Sequence, residues 1–84
     1  MNTHLPVLNG HPVVGVIHVE GRWFVIVAHR NEPNLDVKHH DYVVAEWFDG
    51  DDQWVGGDYD FPTYESAFEA AVERAARLNG LIPA

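Results

Sequence analysis

Hydrophobic positions along this chain follow two rhythms. Residues 13–20 and 22–29 are dominated by valine, isoleucine and aromatic side chains, the composition of β-strands. Glu20-Gly21 between them predicts a tight hairpin, with the glycine taking the positive-φ position. A loop of only those two residues would set Val19 against Arg22, Ile17 against Phe24, Gly15 against Ile26 and Val13 against Ala28. On the opposite face His18 would meet Trp23, Val16 would meet Val25 and Val14 would meet Val27. Residues 30–37 read as a polar loop punctuated by Pro33. Residues 38–48 form a third strand, Asp49-Gly50-Asp51-Asp52 its turn, and residues 53–60 a fourth strand. Gly56-Gly57 inside the fourth strand predicts a bulge or a close backbone approach.

The rhythm then changes to that of a helix over residues 63–79. Thr63 is placed as its N-cap, Glu65 lies in the first turn, Arg74 and Arg77 lie near the end, and Gly80 is placed just past it. Tyr64, Phe68, Ala71, Val72, Ala75 and Leu78 form an apolar stripe that should face the sheet. Glu65, Glu69, Glu73 and Arg77 make a solvent-facing row at i, i+4 spacing. Its two Glu–Glu steps repel by a few tenths of a kcal/mol, so helix stability alone does not explain the row.

These elements predict one α+β domain over residues 1–84: a four-stranded antiparallel meander at 13–60 with one C-terminal helix across one face. Residues 1–11 are expected to be a loose or edge segment, because Asn9-Gly10 is good hairpin chemistry but Pro6 and Pro12 flank it. Both faces of the first two strands are apolar, and one helix covers only one of them. A bare apolar face marks an interaction surface. The expectation is therefore a homodimer packed sheet on sheet, or a heterologous partner. The competing expectation is that Leu5, Val7 and Leu8 fold back over the face.

Charge sharpens this picture. From His39 to Glu73 the chain holds ten Asp and Glu residues and no Lys or Arg, and the net charge is -8. Such a balance disfavours direct contact with nucleic acid and with anionic membranes, both of which are bound through Lys and Arg. It favours a basic protein surface, or simply solubility. The longest apolar run is far short of a membrane span, the first residues lack the pattern of a signal peptide, and the absence of cysteine fits a reducing cytoplasm.

Catalytic chemistry finds little support. Ser66 is the sole serine and Lys38 the sole lysine, and Thr63 is accounted for as a cap, so nucleophiles are scarce. The glycine pair lacks the lysine and helix start of a phosphate loop. Asp49-Gly50-Asp51-Asp52 lacks a calcium-loop frame, and Asp58 and Asp60 read as surface charge. His39-His40-Asp41 has metal-ligand composition; on a strand, His39 and Asp41 share a face and His40 does not.

The reading that results is a non-enzymatic, cytoplasmic interaction or regulatory domain with no cofactor, engaging a basic protein surface. Trp23, Trp47, Phe48 and Trp54 are its aromatic anchors, and Asp49, Asp51, Asp52, Asp58, Asp60, Glu65, Glu69 and Glu73 its carboxylates. A sharper version has the carboxylates standing in for phosphates as a nucleic-acid mimic. At the level of class alone, compact acidic chains without cysteine resemble phage- or plasmid-borne inhibitors of host defence. The alternative is a small-ligand or metal-binding domain using His39, His40 and Asp41.

Overall fold

The computed structural model describes residues 5–30 and 41–80. Five strands and one helix follow in chain order: β1 (Val7–Leu8), β2 (His11–Glu20), β3 (Trp23–His29), β4 (Tyr42–Phe48), β5 (Val55–Phe61) and α1 (Tyr64–Leu78). The strands pair in sequence order, each antiparallel to the next. The α+β meander with a C-terminal helix is as the sequence predicts, but it has five strands rather than four, and the sheet is curled.

The extra strand comes from the segment expected to be loose. Asn9 and Gly10 both take positive φ, at 52° and 80°, which is the backbone of a tight hairpin turn. Val7 and Leu8 then pair with Pro12 and His11. The prolines do not prevent this. Pro6 contributes its carbonyl, which accepts the Val13 N–H at 3.0 Å.

The β2–β3 hairpin also differs from the simple expectation. Its turn is Gly21-Arg22, with Glu20 opposite Trp23 and irregularities at Val13/Gly15 and His18/Glu20. The interruptions shift the register, so His18 meets Phe24 rather than Trp23 and Ile17 meets Val25 rather than Phe24. A shift of one residue changes the face a side chain occupies. Ile17 and Val19 thereby join Val25, Val27 and Val44 beneath the helix.

The Gly56-Gly57 expectation holds in both forms. Gly56 has φ +64°, and between Val44↔Asp58 and Glu46↔Val55 one residue of β4, Ala45, faces two of β5, Gly56 and Gly57. At Gly57 a Cβ would stand 2.9 Å from Tyr59 Oη and 3.0 Å from Trp54 Nε1, so the backbone approaches closely there.

Helix α1 is capped as its sequence predicts. Thr63 accepts from the Ser66 N–H at 3.1 Å, the Ser66 hydroxyl closes a capping box, and Gly80 follows the Asn79 C-cap at φ +75°. Its buried ridge differs from the expected stripe. Ala67, Ala71 and Ala75 face the sheet, whereas Tyr64, Phe68, Val72 and Leu78 remain exposed. Alanine's small volume lets the helix sit close to the strands. Arg74 ties the two layers together, donating to the carbonyls of Val44 at 3.3 Å and Gly56 at 3.1 Å.

The far face is closed by the chain itself. Leu8, Val13, Ile26, Ala28, Val43, Ala45 and Trp54 form its buried core, with Phe24 and Trp47 packed against it. Asn9 clasps the closure: its N–H reaches the Asp52 carbonyl at 3.2 Å, and its side-chain oxygen accepts the Trp54 N–H at 3.1 Å. The sheet-on-sheet dimer was expected because this face should be bare. It is covered by Leu8 and Trp54, in line with the fold-back alternative, although Val7 and Leu5 stay exposed.

Candidate functional site

Strand β2 has a paired side and an open side. β1 engages only His11 and Pro12, so among the described residues no strand neighbours the outer edge of β2 over residues 14–20. An unpaired edge presents backbone donors and acceptors ready to receive another chain. Natural edges are blunted by lysine, proline or bulges; residues 14–20 contain no lysine or proline, and between the irregularities at Val13/Gly15 and His18/Glu20 the stretch from Gly15 to His18 is regular. They carry the exposed Val14 and Val16 instead.

The helix supplies an apolar wall beside this edge. Tyr64 and Phe68 stack at 5.7 Å and pack over Gly15, where a Cβ would lie 3.1 Å from Tyr64 Oη and 3.7 Å from the Phe68 ring. Tyr64, Phe68 and Val72 stand one helical turn apart, and all three are exposed, Val72 to 48%. Glu65, Glu69 and Glu73 each follow one of these residues in sequence. An acidic row therefore runs along the helix next to the apolar one.

At the Glu20 end of β2 the surface dips into a groove of about 170 Å³ lined by Val19, Glu20, Trp23, Glu46 and Leu78. Trp23 is 40% exposed and packs edge to face with Phe48 at 5.2 Å. Arg22 lies over the Phe48 ring at 4.9 Å and donates to the Asp49 carbonyl at 2.7 Å. The basic side chains nearby are thus directed elsewhere. Arg22 and Arg74 bind backbone carbonyls, and Arg77 pairs with Glu73. Among the described residues, the ion pairs do not include Glu20, Glu46, Glu65 or Glu69.

The expected site residues divide. Trp23, Phe48 and Asp49 meet where the β2–β3 and β4–β5 turns lie side by side, joined by the Asp49 N–H on the Arg22 carbonyl at 2.8 Å. Trp47 and Asp51 are also joined, the indole N–H donating to the Asp51 carbonyl at 2.8 Å. Asp49, Asp51 and Asp52 are exposed in the turn, and Asp58 is exposed on β5 opposite Val44. Trp54 is a correction: at 7% exposure it belongs to the core, stacked on His11 at 5.9 Å, and presents no anchor. His39 and His40 lie outside the described residues, as does the side chain of Asp60. Asp41 is exposed, and its carbonyl accepts the Arg30 N–H.

Sequence reasoning passed over Val14, Val16, Glu20, Glu46 and Leu78 as site residues, and assigned Tyr64, Phe68 and Val72 to the core. The available signal was Ala67, Ala71 and Ala75 at i, i+4, a smaller and smoother ridge for close packing than the bulky row beside it.

The fold and surface together define a small α+β domain with a curled sheet, both faces covered and, among the described residues, one strand edge without a strand neighbour. Comparison with protein-family models, with curated proteins and with solved structures finds no match. No helix among the described residues is long and apolar enough to cross a membrane.

Proposed function

We propose that this chain is a non-enzymatic interaction module that captures an extended, basic segment of a protein partner along β2. The observation that supports it is the open edge at residues 14–20, walled on one side by Tyr64, Phe68 and Val72. A strand added there gains main-chain hydrogen bonds from the edge, and its alternate side chains gain the apolar row. The carboxylates of Glu65 and Glu69 beside that row select for positive charge in the partner. The net charge of -8 draws such a partner in from a distance, at a rate that falls as salt rises. A cysteine-free chain of this kind suits the cytoplasm.

The test is a titration of isotope-labelled protein with a short synthetic peptide of alternating valine and arginine, followed by NMR. Amide signals of residues 14–20 should move and gain protection from exchange, and binding should weaken as salt is raised. A valine–glutamate peptide should leave them unchanged. Signal changes confined to other surfaces would overturn the proposal. So would light scattering that gives about twice the 9.5 kDa chain mass with the β2 edge protected before any peptide is added, since a second copy would then occupy it.

A further inference from the structure

We infer that the groove at the end of β2 is a receptor for a single arginine side chain, which rests on the reading above that the partner is a basic strand laid along this edge. Its lining divides by chemistry. Val19 and Leu78 offer an apolar wall for a methylene stem, Trp23 offers an aromatic surface, and Glu20 and Glu46 offer two carboxylates. Among the described residues, no basic side chain contributes to the lining.

The register places these groups around one point. Glu20 on β2 stands directly opposite Trp23 on β3. Trp23 is itself opposite Phe48 on β4, and Glu46 opposite Val25, so Glu46 is the diagonal neighbour of Trp23 on the other side. Opposed and diagonal cross-strand neighbours lie within about 5–8 Å, close enough for long side chains to act on one group. The tryptophan is thus flanked by a carboxylate from each neighbouring strand, and Leu78 of α1 closes the end. The bases that share this part of the fold are committed. Arg22 lies on Phe48 and the Asp49 carbonyl, and Arg74 on the carbonyls of Val44 and Gly56.

Size admits the occupant. A volume near 170 Å³ matches the share of five or six waters at about 30 Å³ each. The groove opens to solvent, so it can receive one long side chain from a strand lying beside it. Charge and shape select among side chains. An aromatic surface with two carboxylates attracts a cation through the ring and through charge-assisted hydrogen bonds. The planar guanidinium stacks and forks where an ammonium acts as a point charge, so arginine is preferred to lysine.

The experiment uses two peptides identical along β2, differing only in arginine or its neutral analogue citrulline at the position that reaches Glu20. Free N-acetyl-arginine amide serves as the second probe. The arginine peptide should bind at least about tenfold more tightly than the citrulline peptide. That ratio should collapse toward one in the E20Q/E46Q double variant and in W23L, with the Trp23 indole N–H signal moving only for arginine. Equal binding of the two peptides, with residues 14–20 still perturbed, would overturn the arginine receptor and leave the edge reading standing. Movement of the Trp23 signal by free arginine amide, with neither peptide perturbing residues 14–20, would leave the receptor standing and remove the edge reading. Silence of all three probes would overturn both.

Discussion

The two faces of one sheet are closed by opposite means. On the far face a few large side chains do the work. Leu8 and Trp54 come in from outside the central strands and leave Ile26, Ala28, Val43 and Ala45 without solvent contact. On the helix face the contact ridge is alanine at 67, 71 and 75, and the larger residues Tyr64, Phe68 and Val72 are left beside the open edge of β2. The first arrangement spends bulk on stability. The second keeps bulk outside, where on the proposed reading it would lie against a partner strand.

Substitutions on each side should separate these roles, beginning with the most damaging. Trp54→Ala removes the lid of the far face and should cost about 3–5 kcal/mol. That is a large fraction of the ~4–12 kcal/mol expected of a domain this size, so urea denaturation should show a much lower midpoint or no folded baseline. A loss under about 1 kcal/mol would mean the face does not depend on this side chain. Ala71→Leu tests the helix face in the opposite direction. Overpacking a fully buried position should cost about 1–3 kcal/mol, read as a shift of the same midpoint with unchanged slope. Phe68→Ser should be the mildest for folding, about 1 kcal/mol or less, because the residue is 37% exposed at the margin of the buried alanine ridge. The same variant should weaken binding of the valine–arginine peptide at β2. A stability loss comparable to that of Trp54→Ala would erase the distinction between the two faces.

Much of the fold is written in local chemistry. Thr63 and Gly80 mark the helix ends because capping needs only near neighbours. Gly56-Gly57 announces its bulge for the same reason. What local pattern misses is long-range. A two-residue strand at Val7–Leu8 has no periodicity to detect; it exists because Leu8 is buried and Asn9 reaches Asp52 and Trp54. The irregularity at His18/Glu20 cannot be inferred from a valine-rich run, yet it decides which face receives Ile17. The helix stripe was legible to within a rotation of roughly 30° about its axis, taking 3.6 residues per turn. That rotation moves Tyr64, Phe68 and Val72 from core to surface, so the candidate site was harder to read than the fold. Of its members, Trp23, Phe48 and the glutamate row are evident from residue type. Glu20, Glu46 and Leu78 become neighbours of Trp23 only through strand register and helix placement.

The Asn9 clasp carries a consequence for the order of folding. Its bond to Trp54 joins residues 45 apart in sequence, whereas the β2–β3 turn and the Thr63 cap are local. Contacts across long loops must overcome closure entropy before they repay it. The two hairpins and the helix can therefore form while the β1 hairpin still swings free, and the clasp is made late. The reverse holds on the way out: the Trp54 amide should exchange with solvent earlier than those of Val25 or Val44 in the central strands. The chain is latched like a book, with its spine in β3 and β4 and its fastening where Asn9 and the buried Leu8 meet Trp54.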